Sequence, residues 1–378
     1  MSVNLHTIIS DSMEHKISRQ HLFNSICESF HSEEIFSIER SIVVNGDSLD
    51  KIRQIPDSSI SLILTDPPYH STKKDNIAND KSFKTDEEFL NWMEKYFVEW
   101  KRILKPNGSI FMYCSSAMSA KLEVAMYSHF NVLSHIVWTK PNDPGFDGWK
   151  GKMKKESLRQ WYPHSERILF AEPATDGNLK RTWFGNFLRE KRTLAGISGH
   201  QLTEQVGAYG KVNHGGAVSN WETGRNIPSR EQYAKICEAL IKSGKIDNMP
   251  DYEDVIRKFE VSADIQFTDV WDFNSVRPYN GKHPAEKPLE MLEHCINATT
   301  FEDDIVLDCF GGSGSTSLAS LNLKRYSISI ELEKEWFEVI KLRLENYEQV
   351  PLKVNGSKSS LMKATKEPKL KHQVSLFG

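Results

Sequence analysis

Val306-Leu307-Asp308-Cys309-Phe310-Gly311-Gly312-Ser313-Gly314-Ser315-Thr316 decides the fold. An apolar strand runs into a glycine-rich turn and then into a helix, and the glycines let backbone approach a ligand closely and allow positive φ. A second strand candidate, Tyr326–Ile330, is followed by Glu331, twenty residues after Gly311. That is the spacing at which a doubly wound sheet sets an acid on a ribose hydroxyl. No lysine of the GK[ST] kind completes the loop, which weighs against a nucleoside triphosphate. An adenosine-containing ligand is indicated.

Outward from this loop, a helix is expected over 288–299 before the strand and another to about Tyr347 after it. Nearer the start, Ile42–Asn45, Ile60–Leu64, Ser109–Tyr113 and Ile136–Trp138 are apolar runs of strand length. Between them, Phe89, Leu90, Met93, Phe97 and Trp100 recur at helical steps over Glu87–Leu104, and Lys105-Pro106-Asn107-Gly108 ends that helix. Alternating strands and helices imply an α/β fold with a doubly wound, mostly parallel sheet. Residues 179–248 break the pattern with four short helical stretches and no strand candidate. Over 180–244 there are ten Lys/Arg against five Asp/Glu. The expected organisation is a helical extension over 1–40, core over 41–178, an all-α insert over 179–248, core again over 249–350, and a flexible basic tail over 351–378.

The most restrictive stretch is Ser61-Leu62-Ile63-Leu64-Thr65-Asp66-Pro67-Pro68-Tyr69. An apolar strand delivers an acid, two prolines and an aromatic ring to the carboxyl edge of the sheet, where such folds bind ligands. The prolines fix φ and restrict the residue before them, so Asp66 and the Pro67 carbonyl are held as acceptors without donors. That set suits an exocyclic amine, and Tyr69 offers a face for stacking.

These motifs resemble the amino-methyltransferases of DNA that use S-adenosyl-L-methionine. Asp66-Pro67-Pro68-Tyr69 is similar to their [DNS]PP[YFW] catalytic motif, and Asp308–Gly314 to their cofactor loop. Gly46-Asp47-Ser48 resembles the segment whose acid meets the cofactor adenine, and His283-Pro284-Ala285-Glu286-Lys287-Pro288 the HPxxKP segment. The order, catalytic motif first and cofactor loop last, is that of the β-type permutation. The resemblance covers about 41–178 and 260–347. It implies a permuted Rossmann-like methyltransferase with a seven-stranded sheet. It implies cofactor contacts from Asp47, His283, Lys287, Asp308, Phe310, Gly311, Gly312, Gly314, Thr316 and Glu331, and no metal. It also implies methyl transfer to an extruded base of double-stranded DNA within bacterial restriction-modification. Asp at position 66 resembles the adenine-N6 enzymes, and Ser is usual among cytosine-N4 enzymes. Cytosine N4, or a non-catalytic DNA-binding regulator on the same fold, are the alternatives. Such enzymes are often homodimers.

Residues 181–241 resemble a Cro-like helix-turn-helix domain, closest over Val218-Ser219-Asn220-Trp221-Glu222-Thr223-Gly224-Arg225-Asn226-Ile227-Pro228-Ser229. Its position as an insert leads to the expectation that it reads the methylation site. Asn213, His214, Ser219 and Asn220 would face bases, with Lys211 and Arg225 nearer phosphates. A dimerising module and an operator-binding domain are the rivals. The loop over 140–160 carries six Lys/Arg against three acids, and Phe146 and Trp149 are interleaved. This composition suits phosphate tracking or plain solvation. Gln373-Val374-Ser375-Leu376-Phe377 resembles the peptide that docks on the bacterial replication sliding clamp, through Gln373, Leu376 and Phe377.

Composition bounds all of this. The 378 residues carry 48 Lys/Arg against 51 Asp/Glu, a net charge of −3, so no global basic field announces a polyanion partner. Mean hydropathy is −0.50. There is no apolar run of about 18 residues and no signal-peptide layout at the first residues. Five cysteines without a CxxC pair argue for a reducing compartment and against structural zinc. The expected location is the cytoplasm of a bacterium or a phage-infected host.

Overall fold

The computed structural model describes residues 18–32, 34–70, 83–141, 159, 161, 164–174, 182–208, 216–261 and 267–347. Lys211, Asn213, His214, most of the basic loop and the clamp-like terminal peptide lie outside these residues.

The strands in chain order are β1 (Ile35–Ile38), β2 (Ser41–Asn45), β3 (Ile60–Thr65), β4 (Leu104–Cys114), β5 (Phe130–Trp138), β6 (Glu166–Pro173), β7 (Val270–Trp271), β8 (Ile305–Asp308) and β9 (Tyr326–Glu331). They form one sheet in the order β1-β2-β9-β8-β3-β4-β6-β5-β7. Nine strands therefore replace the expected seven. The two extra strands are the outermost ones. β1 is half-exposed and joins β2 as an antiparallel hairpin within the stretch read as purely helical. β7 is two residues long and pairs parallel with β5. Neither is long or apolar enough to leave a periodic signal. β6 runs antiparallel to both β4 and β5, and the remaining pairs are parallel.

Alternation along the strands builds two apolar layers. Ile63, Ile110 and Met112 face α1 (18–29), α3 (Asp86–Ile103) and α4 (Ser119–Met126). Leu62, Leu64, Phe111 and Tyr113 face α10 (Leu289–Thr299) on the opposite side. α1 belongs to the core: Ile26 is fully buried, and the Phe23 ring stacks on Tyr326 at 4.6 Å. Thr85 caps α3 by accepting from Glu88 N at 3.1 Å. The Lys105–Gly108 segment, expected as a turn, is taken into β4 as an irregularity. Leu104 pairs Ile60, and the next partners are Ser109 and Leu62.

Between β6 and β7 the described residues are helical: α5 (Trp183–Ala195), α6 (Gly199–Val206), α7 (Ala217–Glu222), α8 (Arg230–Lys242) and α9 (Tyr252–Val255). Ser198 with Gln201 and Ser229 with Gln232 form capping boxes, and Gly196 and Gly207 close helices in the left-handed region. These helices share their own core around Leu188, Leu202, Trp221 and Ile236, and Val255 and Ile256 belong to it. The return to the α/β core thus falls after Ile256, later than 249. The other elements are α2 (Ser48–Ile52), α11 (Ser315–Asn322) and α12 (Lys334–Glu345).

Candidate active site

Because β2, β3, β8 and β9 are parallel and in register, their last residues arrive together. Asn45 pairs Glu331, Asp308 pairs Ser329, and Thr65 donates from Oγ1 to Asp308 Oδ1 at 2.9 Å. Asp66 emerges at this carboxyl edge, with Pro67 buried behind it.

Lys287, two residues before α10, extends Nζ to Asp66 Oδ2 and lies 3.5 Å from Glu166 Oε2. Sequence reading set Lys287 among the cofactor contacts; its ammonium reaches the Asp66 carboxylate. Glu166, the first residue of β6, also accepts from Lys140 Nζ and from the Tyr69 hydroxyl, the latter at 3.1 Å. Lys287 Nζ further faces the rings of Tyr113 and Tyr69 at 5.0 and 5.6 Å. Two carboxylates and two ammonium groups therefore alternate around the tyrosine. Their balance is uneven. Burial pushes Asp66 above the ordinary carboxylate range, with Lys287 opposing and Glu166 adding to the rise. Burial also acts to raise Glu166, but Lys287 and Lys140 outweigh it and hold this acid at about 2. Burial alone would pull Lys287 down, yet the two acids leave it above its usual value. One oxygen stands apart. Asp66 Oδ1 is buried and has no hydrogen-bond partner among the described residues.

The glycine loop lies beside this cluster. Gly312 and Gly314 have φ of +51° and +74°, and a Cβ at Gly314 would lie 2.8 Å from Ile340. A side chain is excluded there on both grounds. Glu331 ends β9 and holds the loop: Oε2 accepts from Gly312 N at 2.7 Å and Oε1 from Glu333 N at 2.8 Å. His283 packs over Gly312 and edge-on against Trp336 at 4.4 Å. Phe310 leans on Tyr96 and Trp92, and Thr316 is buried in the first turn of α11. Asp47 caps α2 through Oδ1, accepting from Leu49 N at 2.9 Å. Asp308 also accepts from Phe310 N, yet burial raises it to about 7. Burial raises Glu331 as well. Neither acid has an ion-pair partner among the described residues. Buried carboxylates without cations, and no lysine in the loop, suit a cationic adenosyl ligand and repel a polyphosphate.

Three residues were missed from sequence. Glu166 was only a hairpin position, and Lys140 only the flank of a basic loop. Glu286 is buried between Arg343 at 3.1 Å and the Tyr279 hydroxyl at 2.6 Å. A lone acid opening an apolar strand was the available signal for Glu166.

A family model described as DNA methylase, that of the N6 and N4 methyltransferases, matches residues 60–342. The chain belongs to this DNA methylase family. The match spans the proline turn, the glycine loop and both halves of the sheet. Among curated relatives, the methylase is 26% identical over 310 residues to the type II methyltransferase M.BglII of Bacillus subtilis, covering 79% of this chain and 67% of the relative. It is 24% identical over 314 residues to the DNA adenine methyltransferase YhdJ of Escherichia coli K12, covering 82% and 84%. Among solved structures, the cytosine-N4-specific PvuII DNA methyltransferase aligns at 16% identity with a TM-score of 0.48, covering 87% of this chain and 91% of that one.

The helical segment lies elsewhere. β6 runs away from the site, so the chain leaves it at the amino edge of the sheet. The segment is pinned there. Asn107 Nδ2 donates to Glu253 O at 2.8 Å, Arg19 reaches Asp254 at 2.7 Å, and Arg257 meets Glu172 at 2.7 Å. Ser219 and Asn220 lie on α7, and Arg225 follows it, with Ser219 and Arg225 exposed. Sequence reading expected these residues to face the methylated site. The contacts at the amino edge are made by Glu253, Asp254 and Arg257, which follow these helices in the chain.

Proposed function

We propose that the methylase transfers a methyl group from S-adenosylmethionine to the N6 amine of adenine extruded from duplex DNA. The observation that carries the reading is Asp66 Oδ1, a buried acceptor with no hydrogen-bond partner among the described residues. Lys287 occupies the other oxygen, so Oδ1 is the one that accepts an amine hydrogen. Accepting it draws the nitrogen towards tetrahedral geometry and frees its lone pair. Tyr69 stacks on the extruded base, and its hydroxyl is already held by Glu166. This offsets unpairing, which costs a few kcal/mol. When the amine gains the methyl group it must shed a proton. The upward-shifted Asp66 carboxylate is a better proton acceptor than an exposed one. Catalysis is otherwise positioning and fixed electrostatics.

The residues suited to hold the cofactor are Asp47, His283, Asp308, Phe310, Gly311, Gly312, Gly314, Thr316 and Glu331. When bound, S-adenosylmethionine supplies a methyl carbon activated by a sulfonium. Asp308, which has no ion-pair partner among the described residues, would favour a cationic ligand bound beside it. Asp at position 66 is what supports adenine over cytosine, since the similar proteins include both an adenine methyltransferase and a cytosine-N4-specific one. Sequencing of modified bases in DNA from cells expressing the protein tests the proposal. N6-methyladenine in one sequence context is expected. N4-methylcytosine would overturn the choice of base, and unmodified DNA would overturn the activity.

A further inference from the structure

We infer that Glu286 is a positioning residue for the cofactor loop, acting through Arg343 on the Ser313 carbonyl. The inference rests on reading the glycine loop as the seat of S-adenosylmethionine. Ser313 lies between Gly312 and Gly314, which both adopt positive φ. Two glycines leave this part of the turn little conformational restraint of its own, so what fixes it comes from outside the loop. α12 supplies it. A Cβ at Gly311 or Gly314 would lie 2.9 or 2.8 Å from the Ile340 side chain, which closes on the loop. Three residues on, along the same face of α12, Arg343 donates from Nη1 to Ser313 O at 2.6 Å. That bond orients the peptide joining Ser313 to Gly314, whose N–H donates to Gly311 O at 2.8 Å and whose Cα opens α11.

Glu286 holds Arg343 in that position. The same Nη1 donates to Glu286 Oε1 at 3.1 Å, and Glu286 is the only carboxylate in ion-pair reach of Arg343 among the described residues. The acid is buried, and both of its oxygens are engaged. Oε2 accepts from the Tyr279 hydroxyl at 2.6 Å, and Oε1 lies 3.5 Å from the Ser315 hydroxyl in the first turn of α11. Charge-assisted bonds of this kind are roughly twice as strong as neutral ones, and removing one partner strands the other. Glu286 therefore fixes the guanidinium, and the guanidinium fixes the turn. The next residue along the chain grips a different group, since Lys287 reaches Asp66. Neighbouring side chains of one short segment thus set the cofactor loop and the catalytic acid separately.

The test compares full-chain Glu286→Gln and Arg343→Met with the parent, by calorimetric titration of S-adenosylmethionine and by steady-state methyl transfer to duplex DNA. Each variant should raise the cofactor Kd and KM about tenfold or more. Their kcat at saturating cofactor should stay within about twofold of the parent, the signature of lost binding and not of lost chemistry. The double variant should bind within about twofold of Arg343→Met, because the two residues act as one unit. Arg343→Lys should recover part of the affinity, since an ammonium still donates to the Ser313 carbonyl. A segment that served only packing would move kcat and KM together. Unchanged cofactor affinity in Glu286→Gln, a fall in its kcat at saturating cofactor, or additive losses in the double variant would each overturn this inference alone. A parent chain that bound no S-adenosylmethionine would overturn the reading of the loop itself.

Discussion

Arg19 and Lys287 are both buried cations that reach two carboxylates, at opposite edges of one sheet. Arg19 meets Asp304 and Asp254, each at 2.7 Å, and Lys287 meets Asp66 and Glu166. The difference lies in what is left over. Asp304 Oδ1 takes Arg19 and Ser61, and Oδ2 takes Phe301 N at 2.8 Å, so both oxygens are used. Asp66 gives one oxygen to Lys287, and the other has no hydrogen-bond partner among the described residues. A saturated cluster joins α1, the sheet and the helical segment, whereas an unsaturated one keeps an acceptor for a ligand. A lysine suits the second task, because it is a point charge that leaves geometry free, while the fork of an arginine fixes it.

The widest separation should appear with Arg19→Ala. It strands the Asp304 carboxylate and should lower unfolding free energy by about 3–5 kcal/mol, the usual effect of halving a buried pair. Urea titration measures it, and methyl transfer per folded molecule should be kept. A loss under about 1 kcal/mol would erase the contrast. Lys287→Met should instead act on turnover, with kcat lower by about a hundredfold, equivalent to ~2.7 kcal/mol. Asp66 acts as the carboxylate and its folded value is raised, so activity falls as pH falls through that raised value. Removing the ammonium raises it further. The acid limb of the kcat profile should therefore shift to higher pH in Lys287→Met and return part-way in Lys287→Arg. An unmoved limb would assign Lys287 a packing role.

Asp308→Asn should give a smaller effect with opposite signs in two assays. The folded carboxyl is raised from 3.8 to about 7, so the folded state holds more protons between those values. Stability then declines as pH rises through that window, and the cost is complete above about 7. The asparagine variant should be more stable at pH 8 without ligand, by about 1–3 kcal/mol, and should bind S-adenosylmethionine more weakly. Thermal melts with and without the cofactor read both. A variant less stable at pH 8 would contradict the unpaired-charge account.

What sequence showed and what it hid divide along the same lines. Local chemistry was legible: strand, glycines and Glu331, or an acid braced by two prolines, act within a few residues of one another. The partners of Asp66 were not, since Glu166 and Lys287 lie 100 and 221 residues away and meet it only through the order of strands. Lys287 was read as a cofactor residue through the resemblance of residues 283–288 to the HPxxKP segment, which says nothing of its contact with Asp66. The edge occupied by the helices was equally hidden. It follows from the reversed direction of β6, a property of pairing that the run Glu166–Pro173 does not carry by itself. β1 and β7 were lost for a simpler reason, being too short to show a period.

The open oxygen of Asp66 is the centre of the account, and Asp66→Ala tests it most directly. Transfer of labelled methyl groups to duplex DNA should fall by about a thousandfold or more. Binding of the cofactor and of duplex DNA should remain within a few-fold of the parent. Incorporation at the parent's rate would contradict the account.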